Sequence, residues 1–479
     1  MLKHLKQLAN DSLIYGLSGV VTKMIGILLV PIYTRIFLPE DYGIINLINT
    51  TFFLIGILVT CALDNAAARW FYDSKNIEDH KKTFASYIWF QVVVALTCSI
   101  IIICTSTLIG KQFTNKPEGK IFIILPAISL LTNILPNVLI NWYRLHRRPI
   151  TTVLFTICST LTTIGFTLLF VVKFKWGIVG VYGAITCSTT LFSLIAMYEM
   201  WTWLQPKFFD FTRLKEMLKF SLPMIPAALA YWLLNSTDSY FIAFFKDKAA
   251  VGLFGVGALM ASAVGLFTGA FQQAWGPFAF SIIDNADAKD VYAKVFLLFG
   301  QLLAFIASLL MMFAPEVLML FTSPAYYESA WVTGILGYNL VLISFSYIAI
   351  IGVSVKKTTL PYATAMVLAT MATIVLDIIL IPMYGIEGSA IATVAAQLIV
   401  PIYIFYKGQK MYFIPYDFKK VSFYTILFLI VAVLVRKITF TNIFSQIGVK
   451  AFVSLIFIAV LILANKDQVV ALNKIVKQR

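Results

Sequence analysis

Charge is what this chain has least of. Only 12% of its 479 residues are Asp, Glu, Lys or Arg, while 60% are hydrophobic; a soluble domain carries roughly 25% charged residues. That deficit excludes a soluble globular protein. Histidine is scarcer still: His4, His80 and His146 are scattered, with no Ser or Cys arrangement beside them for nucleophilic catalysis. There is no GxxxxGK[ST] loop and no HExxH, which removes Walker-type ATP hydrolysis and zinc hydrolysis. Five cysteines (61, 98, 104, 158 and 187) sit in or beside apolar segments without metal-ligand spacing, and read as reduced core residues. The opening MLKHLKQLAND has no small-residue cleavage site and reads as a cytoplasmic lead-in, not a removable signal. No loop on the expected outer side is long enough for a catalytic domain. The chain is expected not to be an enzyme, and no cofactor is called for.

What it has is apolar length. Fourteen segments, from 12–34 and 44–63 to 386–406, 420–438 and 445–465, are long enough to cross a bilayer. Transmembrane β-barrels give alternating stretches of roughly 10 residues instead. The expected class is an all-α polytopic membrane protein of about 14 helices. The segment 250–282 is long enough to hold a turn near Gly276-Pro277. The net charge of +15 comes from 37 Lys and Arg against 22 Asp and Glu. Most of the basic residues fall in alternate loops, at 64–84, 141–149, 204–217 and 407–419 among them. Positive loops stay in the cytoplasm, so both termini are placed inside and nucleic acid is not a partner.

Three short matches recur at nearly one offset. RIFLPEDYG resembles AFFKDKAAVG, with Gly43 matching Gly252; Arg147-Arg148 match Lys356-Lys357; WGIVGVYGAI matches YGIEGSAIAT. Six helices per half is an even number, so the halves enter the membrane in the same direction, as parallel repeats. The expected division is a six-helix bundle at 1–203, a cytoplasmic linker at 204–217, a second bundle at 218–406, and two further helices with a tail at 407–479.

YTRIFLPEDYGIINLI, PMIPAALAYWLLNSTDSYFIAFF with AAVGLFGVGA, and QQAWGPFAF resemble the polysaccharide-export branch of the multidrug/oligosaccharidyl-lipid/polysaccharide superfamily, and within it the Wzx-type flippases of O-antigen and capsule repeat units. The resemblance implies a MATE-like lipid-flippase architecture and alternating access. It also implies a polyprenyl (undecaprenyl)-diphosphate-linked oligosaccharide as substrate, moved from the inner to the outer leaflet of the bacterial plasma membrane. Membrane lipids, a polysaccharide polymerase and chain-length machinery would be its partners, and the protein would act as a monomer. A cation-coupled drug exporter and a lipid-linked peptidoglycan precursor flippase of the same superfamily are the alternatives.

Ionisable groups inside a membrane are functional candidates by default. Lys23 lies mid-helix with Gly19 and Gly26 on its face, and would meet a substrate phosphate, pair with a carboxylate on a neighbouring helix, or snorkel. Arg69, Arg144 and Arg147 close the expected cytoplasmic ends of their helices. They serve either as interfacial anchors or as captors of a diphosphate. Gln272, Gln273 and Trp275 would contact sugar or pack helices. In LLNSTDSYFIAFF, Asp238 shares a face with Asn235, and Asp377 shares one with Thr373. Asp238, Asp377 and Thr393 are expected at a similar depth. Two carboxylates with hydroxyl oxygens suit a hard cation or a shared proton; the competing reading is helix-to-helix hydrogen bonding. By the resemblance, Asp238, Thr373, Asp377 and Thr393 fall where related flippases bind sodium, with Ser389 adding a backbone oxygen, so Na⁺ or H⁺ is the expected coupling ion.

Overall fold

The computed structural model describes residues 24, 26, 27, 29–74, 76–114, 118–356, 358, 360–438 and 443–466. Pro39, Glu40 and Asp41 open the first long helix in this range. Proline is pre-set for a first helical turn that has no N–H partner, and the two carboxylates meet the positive end of the helix dipole. This helix, α1 (Pro39–Thr60), stops where Cys61 and Ala62 turn left-handed, at φ 48 and 52. The chain restarts at once as α2 (Leu63–Asp73). Asn76 then caps α3 (Ile77–Phe113), its side chain accepting from the Glu78 N–H at 2.9 Å.

Residues 64–84, expected as a loop, are therefore helical except around Ser74 and Asn76. Leu63, Ala66, Ala67 and Phe71 recur at helical spacing and bury one face of α2, which keeps the chain wound past the apolar span.

The described chain is helical throughout. It continues as α4 (Gly119–Thr132), α5 (Ile134–Leu145), α6 (Pro149–Thr167) and α7 (Gly177–Glu199). The stretch 204–217 holds the start of an amphipathic helix, α8 (Phe211–Ser221), capped by Asp210. Then come α9 (Ile225–Phe245), α10 (Lys248–Ala261), α11 (Val264–Ser281), α12 (Ala288–Phe321) and α13 (Ala330–Ala349). The last three are α14 (Leu360–Met411), α15 (Phe418–Lys437) and α16 (Ile443–Ala464). The turn expected at Gly276-Pro277 is absent: α11 runs through both residues, and the break lies at Ser262–Ala263. There a run of small residues follows the helix, and Ser262 Oγ donates to the Leu259 carbonyl at 2.6 Å, drawing off a backbone acceptor.

Eleven helices among the described residues are long and apolar enough to cross a membrane, or twelve if the α10–α11 pair is one bent span. The expected first segment, 12–34, lies largely outside the described residues. α14 has 52 residues and contains Gly385 at φ 61, ψ −135. The run is two helices that break at Gly385, each at 1.5 Å per residue about 38 Å long, enough for one crossing of a core about 30 Å thick. Gly385 and Gly177 are the two glycines with positive φ among the described residues, and the repeat aligns them. Large apolar side chains point outward, Phe244, Leu108 and Leu463 each more than two-thirds exposed. Helices that are greasy on their outer faces are built for lipid.

By contact the chain forms two compact units: one runs to Gly255 and includes Asp377–Ile386, and the other holds Val256–Leu376 and the chain from Glu387 on. The first is packed around Ile44, Ile48, Phe84, Tyr87, Phe122 and Leu139. The second is packed around Leu303, Met311, Val341, Phe428 and Phe457, with α12 lying against α13 and α15.

Within the first unit α1 and α10 meet backbone to backbone. A Cβ on Gly43 would lie 1.8 Å from the Lys248 carbonyl oxygen, and one on Gly252 would lie 1.9 Å from that of Pro39. The repeat offset that matches Gly43 to Gly252 also matches Pro39 to Lys248. Each glycine therefore touches the counterpart of the other's neighbour, as in a contact between two copies related by a two-fold axis.

Candidate functional site

The first unit holds a partly open cavity, lined by amides and hydroxyls among apolar side chains, whose walls are broken helices. The α1–α2 span is interrupted at Cys61–Ala62, and the α4–α5 span at Asn133, which ends one helix and begins the next. Pro126 and Pro136 each withhold an N–H from these spans. Irregular backbone at membrane depth is tolerated where it lines a watered cavity or is covered by protein. Gln91 answers one of the freed groups, donating from Nε2 to the Thr60 carbonyl at 3.1 Å.

The cavity has three connected lobes, of about 480, 380 and 260 Å³. Asn133 and Asn137 line all three. The largest lobe adds Asn49, Thr60, Thr189 and Tyr182 beside Phe52 and Phe53. Asn141, Gln91, Asp64 and Arg144 join the second lobe, and Ser159, Thr160, Thr163 and Ser188 the third. Asp64 and Arg144, of opposite charge, both line the second lobe.

Hydroxyls tie the walls together. Ser129 meets Thr186 at 2.8 Å, Thr132 meets Thr189 at 2.7 Å, and Thr163 donates to Ser188 at 2.8 Å. Such bonds between helices give association a directionality that apolar packing in lipid lacks. The arrangement sets amides and hydroxyls, with one guanidinium and one carboxylate, around a chamber inside an apolar bundle.

The sequence candidates scatter around this chamber. Arg144 lines it. Arg69 lies on the surface, paired with Asp73 at 3.1 Å with both side chains about half exposed. Arg147 is exposed and in the left-handed region, at φ 53. Trp275 is buried against Phe271 and Tyr292, at ring distances of 5.5 and 5.8 Å, a packing position in the second unit. Gln272 is half-buried. The side chain of Gln273 and all of Lys23 lie outside the described residues.

Asp238 and Asp377 are both buried and belong to the first unit. Beside Asp238, Ser239 donates to Asn46 Oδ1 at 3.1 Å. Asn235 is exposed, donating to the Tyr231 carbonyl at 2.7 Å. Thr373, Ser389 and Thr393 are buried in the second unit. Thr373 donates to the Ala369 carbonyl at 3.0 Å and Thr393 to that of Ser389 at 2.9 Å, one turn back in each case. Among the described residues no group of three or more His, Cys, Asp or Glu side chains could hold a metal ion.

Two features escaped the sequence reading. Asn133, Asn137 and Asn141 recur every fourth residue, so the ladder was visible as a helical face had uncharged amides been weighed beside ionisable groups. In the second unit Lys450, 1% exposed, pairs with Glu316 at 2.5 Å, and Gln446 donates to the same oxygen at 3.0 Å. Arg436 lies over Trp331 at 3.8 Å and donates to the Ala330 carbonyl at 3.0 Å. The final two helices are thus fastened to α12 and the start of α13 by buried cations.

Solved structures share the fold. "Lipid II flippase MurJ, inward closed conformation" is 16% identical with a TM-score of 0.76, covering 96% of this chain and 100% of that one. An inward-facing multidrug resistance MATE family transporter of the MOP superfamily is 15% identical with a TM-score of 0.67, covering 84% and 95%. The Vibrio cholerae MATE transporter VcmN in the bent form is 15% identical with a TM-score of 0.54, covering 88% and 98%. No curated protein sequence matches. The all-helical, many-span chain has a MurJ/MATE-like fold, and with residues 8–283 matched by the family model it belongs to the polysaccharide biosynthesis protein family.

Proposed function

We propose that this protein is a flippase that carries a polyprenyl-diphosphate-linked oligosaccharide from the cytoplasmic to the outer leaflet of a bacterial plasma membrane. The observation that carries the reading is the chamber: amides and hydroxyls with one guanidinium and one carboxylate, between helices whose outer faces are apolar. The physical task is to pass a polar head through hydrocarbon while its lipid tail stays in the bilayer, and an uncompensated polar head in hydrocarbon costs several kcal/mol per group. Arg144, exchanging Asp64 for the diphosphate, supplies the charge-assisted contact at the cytoplasmic mouth; Lys23 would add a second cation.

Asp238 and Asp377 of the first unit are proposed to carry the coupling to Na⁺ or H⁺; Thr373, Ser389 and Thr393 remain the candidates on the second unit. Membrane lipids and the enzymes that polymerise the exported unit are the expected partners of a monomeric carrier. The likeness to the MurJ lipid II flippase supports a second reading, a lipid-linked peptidoglycan precursor as cargo.

Mass spectrometry of polyprenyl-linked sugars in cells with and without the gene tests the proposal. A complete, unpolymerised repeat unit building up on its carrier supports it. An unchanged lipid pool together with new drug sensitivity would replace it with a drug exporter.

A further inference from the structure

The chamber has two unlike walls. On α5, Asn133, Asn137 and Asn141 stand one above another, about 6 Å apart, with Asn133 and Asn137 open to the cavity. An amide offers two donors and an acceptor. On α6 the facing residues are Thr156, Ser159, Thr160 and Thr163, one helical face. Their hydroxyl protons are already given away: Thr156 donates to Thr152 O at 2.9 Å, Ser159 and Thr160 to Thr156 O at 2.9 and 2.8 Å, and Thr163 to Ser188 at 2.8 Å. This wall therefore presents oxygen lone pairs. Between a wall that donates and accepts and a wall that accepts, the matching ligand carries hydroxyls, each a donor and an acceptor at once. Phe52 and Phe53 add an apolar flank in the first lobe, suited to the C–H face of a sugar ring.

Charge narrows the class. Among the described lining residues the acidic and basic side chains are one of each sign, Asp64 and Arg144, both in the second lobe. Among the described residues the first and third lobes, which Asn133 and Asn137 also line, hold no cation, so an acidic sugar there would leave an unpaired buried carboxylate, which is costly.

Resting on the flippase reading above, we propose that Asn133, Asn137 and Asn141, opposite the α6 hydroxyls, form the track that binds uncharged, hydroxyl-rich sugar rings of the cargo. The same track would select neutral repeat units over acidic ones. Each ladder step spans a length comparable to one ring, so consecutive rings take consecutive amides.

Asn137 is the position to test, being open to the cavity and, among the described residues, in no hydrogen bond of the packed wall through its side chain. In a strain lacking the gene, a raised pool of lipid-linked oligosaccharide tests the flippase reading alone. If the pool rises, the native protein and Asn137→Gln should return it to baseline, and Asn137→Leu should leave it about ten-fold above baseline at equal protein level and melting temperature. Restoration by Asn137→Leu equal to the native protein would overturn the track and leave the flippase standing.

The second arm does not depend on the first. The purified full chain is titrated with the neutral trisaccharide of N-acetylglucosamine and with trigalacturonate, followed by tryptophan fluorescence. The expected results are binding of the neutral probe, weakened about ten-fold by Asn137→Leu, and little response to the acidic one. Equal response to the two probes, binding of neither, or binding unchanged by Asn137→Leu contradicts the proposal.

Discussion

Adding one methyl group at Gly43 should push a pair of helices apart. The Cβ of Gly43→Ala would lie 1.8 Å from the Lys248 carbonyl oxygen, against an ordinary contact distance of 3.4 Å or more. The obstacle is backbone, which cannot rotate aside, so α1 and α10 must separate by roughly 1.5 Å. Overpacking of this kind costs about 1–3 kcal/mol, and replacing a helical glycine by alanine returns about 1 kcal/mol. The net loss expected is about 0–2 kcal/mol. Gly252→Ala should lose as much, since its Cβ meets Pro39 O at 1.9 Å.

The double variant is the sharper test. Once one methyl has spread the helices the second finds room, so the two losses should fall short of additive by about 1 kcal/mol. Gly165→Ala is the control: among the described residues nothing lies within 4 Å of its added Cβ, and it should gain about 0.5–1 kcal/mol. Equilibrium unfolding of the purified protein in mixed micelles reads all four. Strictly additive losses, or a Gly43→Ala variant that behaves like Gly165→Ala, would refute the close approach.

Four further outcomes are expected. Lys450→Met leaves Glu316 buried beside Gln446 without its cation, and should cost about 3–5 kcal/mol in the same unfolding measurement. The double change Lys450→Met/Glu316→Met should recover at least half of that loss; a double variant no better than the single would show that the pair is not the cause. Arg144→Ala should cut transport of the lipid-linked head at least about ten-fold in vesicles, the contribution of a charge-assisted contact. Arg144→Lys should be intermediate because it lacks the bidentate fork. Asp238→Asn and Asp377→Asn should each reduce transport at normal protein levels and change its dependence on Na⁺ or pH. Unchanged transport and cation dependence in both would remove the coupling proposal. His146 is half-buried beside Phe71 and Trp142. Burial first, then the charges of Arg148 and His80, pull its pKa below the usual value, against a hydrogen bond to the Trp142 carbonyl that raises it. The unfolded chain then binds the proton more readily, so the fold is undiminished above about pH 6.5 and loses stability as pH falls below it. His146→Gln should flatten that portion of the melting-temperature profile between about pH 8 and 5, and an identical profile would exclude His146 as its source.

The many-span helical architecture was legible because lipid imposes it: a span must be apolar for some 20 residues. The repeat was legible in Gly43 and Gly252 because a backbone-to-backbone crossing admits only glycine. The chamber was harder to read. Searching for ionisable groups led to Arg144, which lines it, but also to Arg69, whose partner is Asp73 on the next turn, and to Trp275, which its neighbours bury. An interior that binds through uncharged amides leaves only a spacing in the sequence. That spacing becomes a site when the breaks at Cys61–Ala62 and Asn133 open the wall beside it. The Lys450–Glu316 pair joins residues 134 positions apart, and nothing local marks either as the other's partner.

Translocation itself is the most direct test of the central claim. The purified chain is reconstituted into vesicles carrying a polyprenyl-diphosphate-linked oligosaccharide in the inner leaflet, and a membrane-impermeant glycosidase outside reports how fast the sugar appears. The account predicts cleavage that reaches the inner pool only with the protein present and that falls in the Arg144→Ala and Asn137→Leu variants. Cleavage confined to the outer leaflet in the presence of active, folded protein would contradict it.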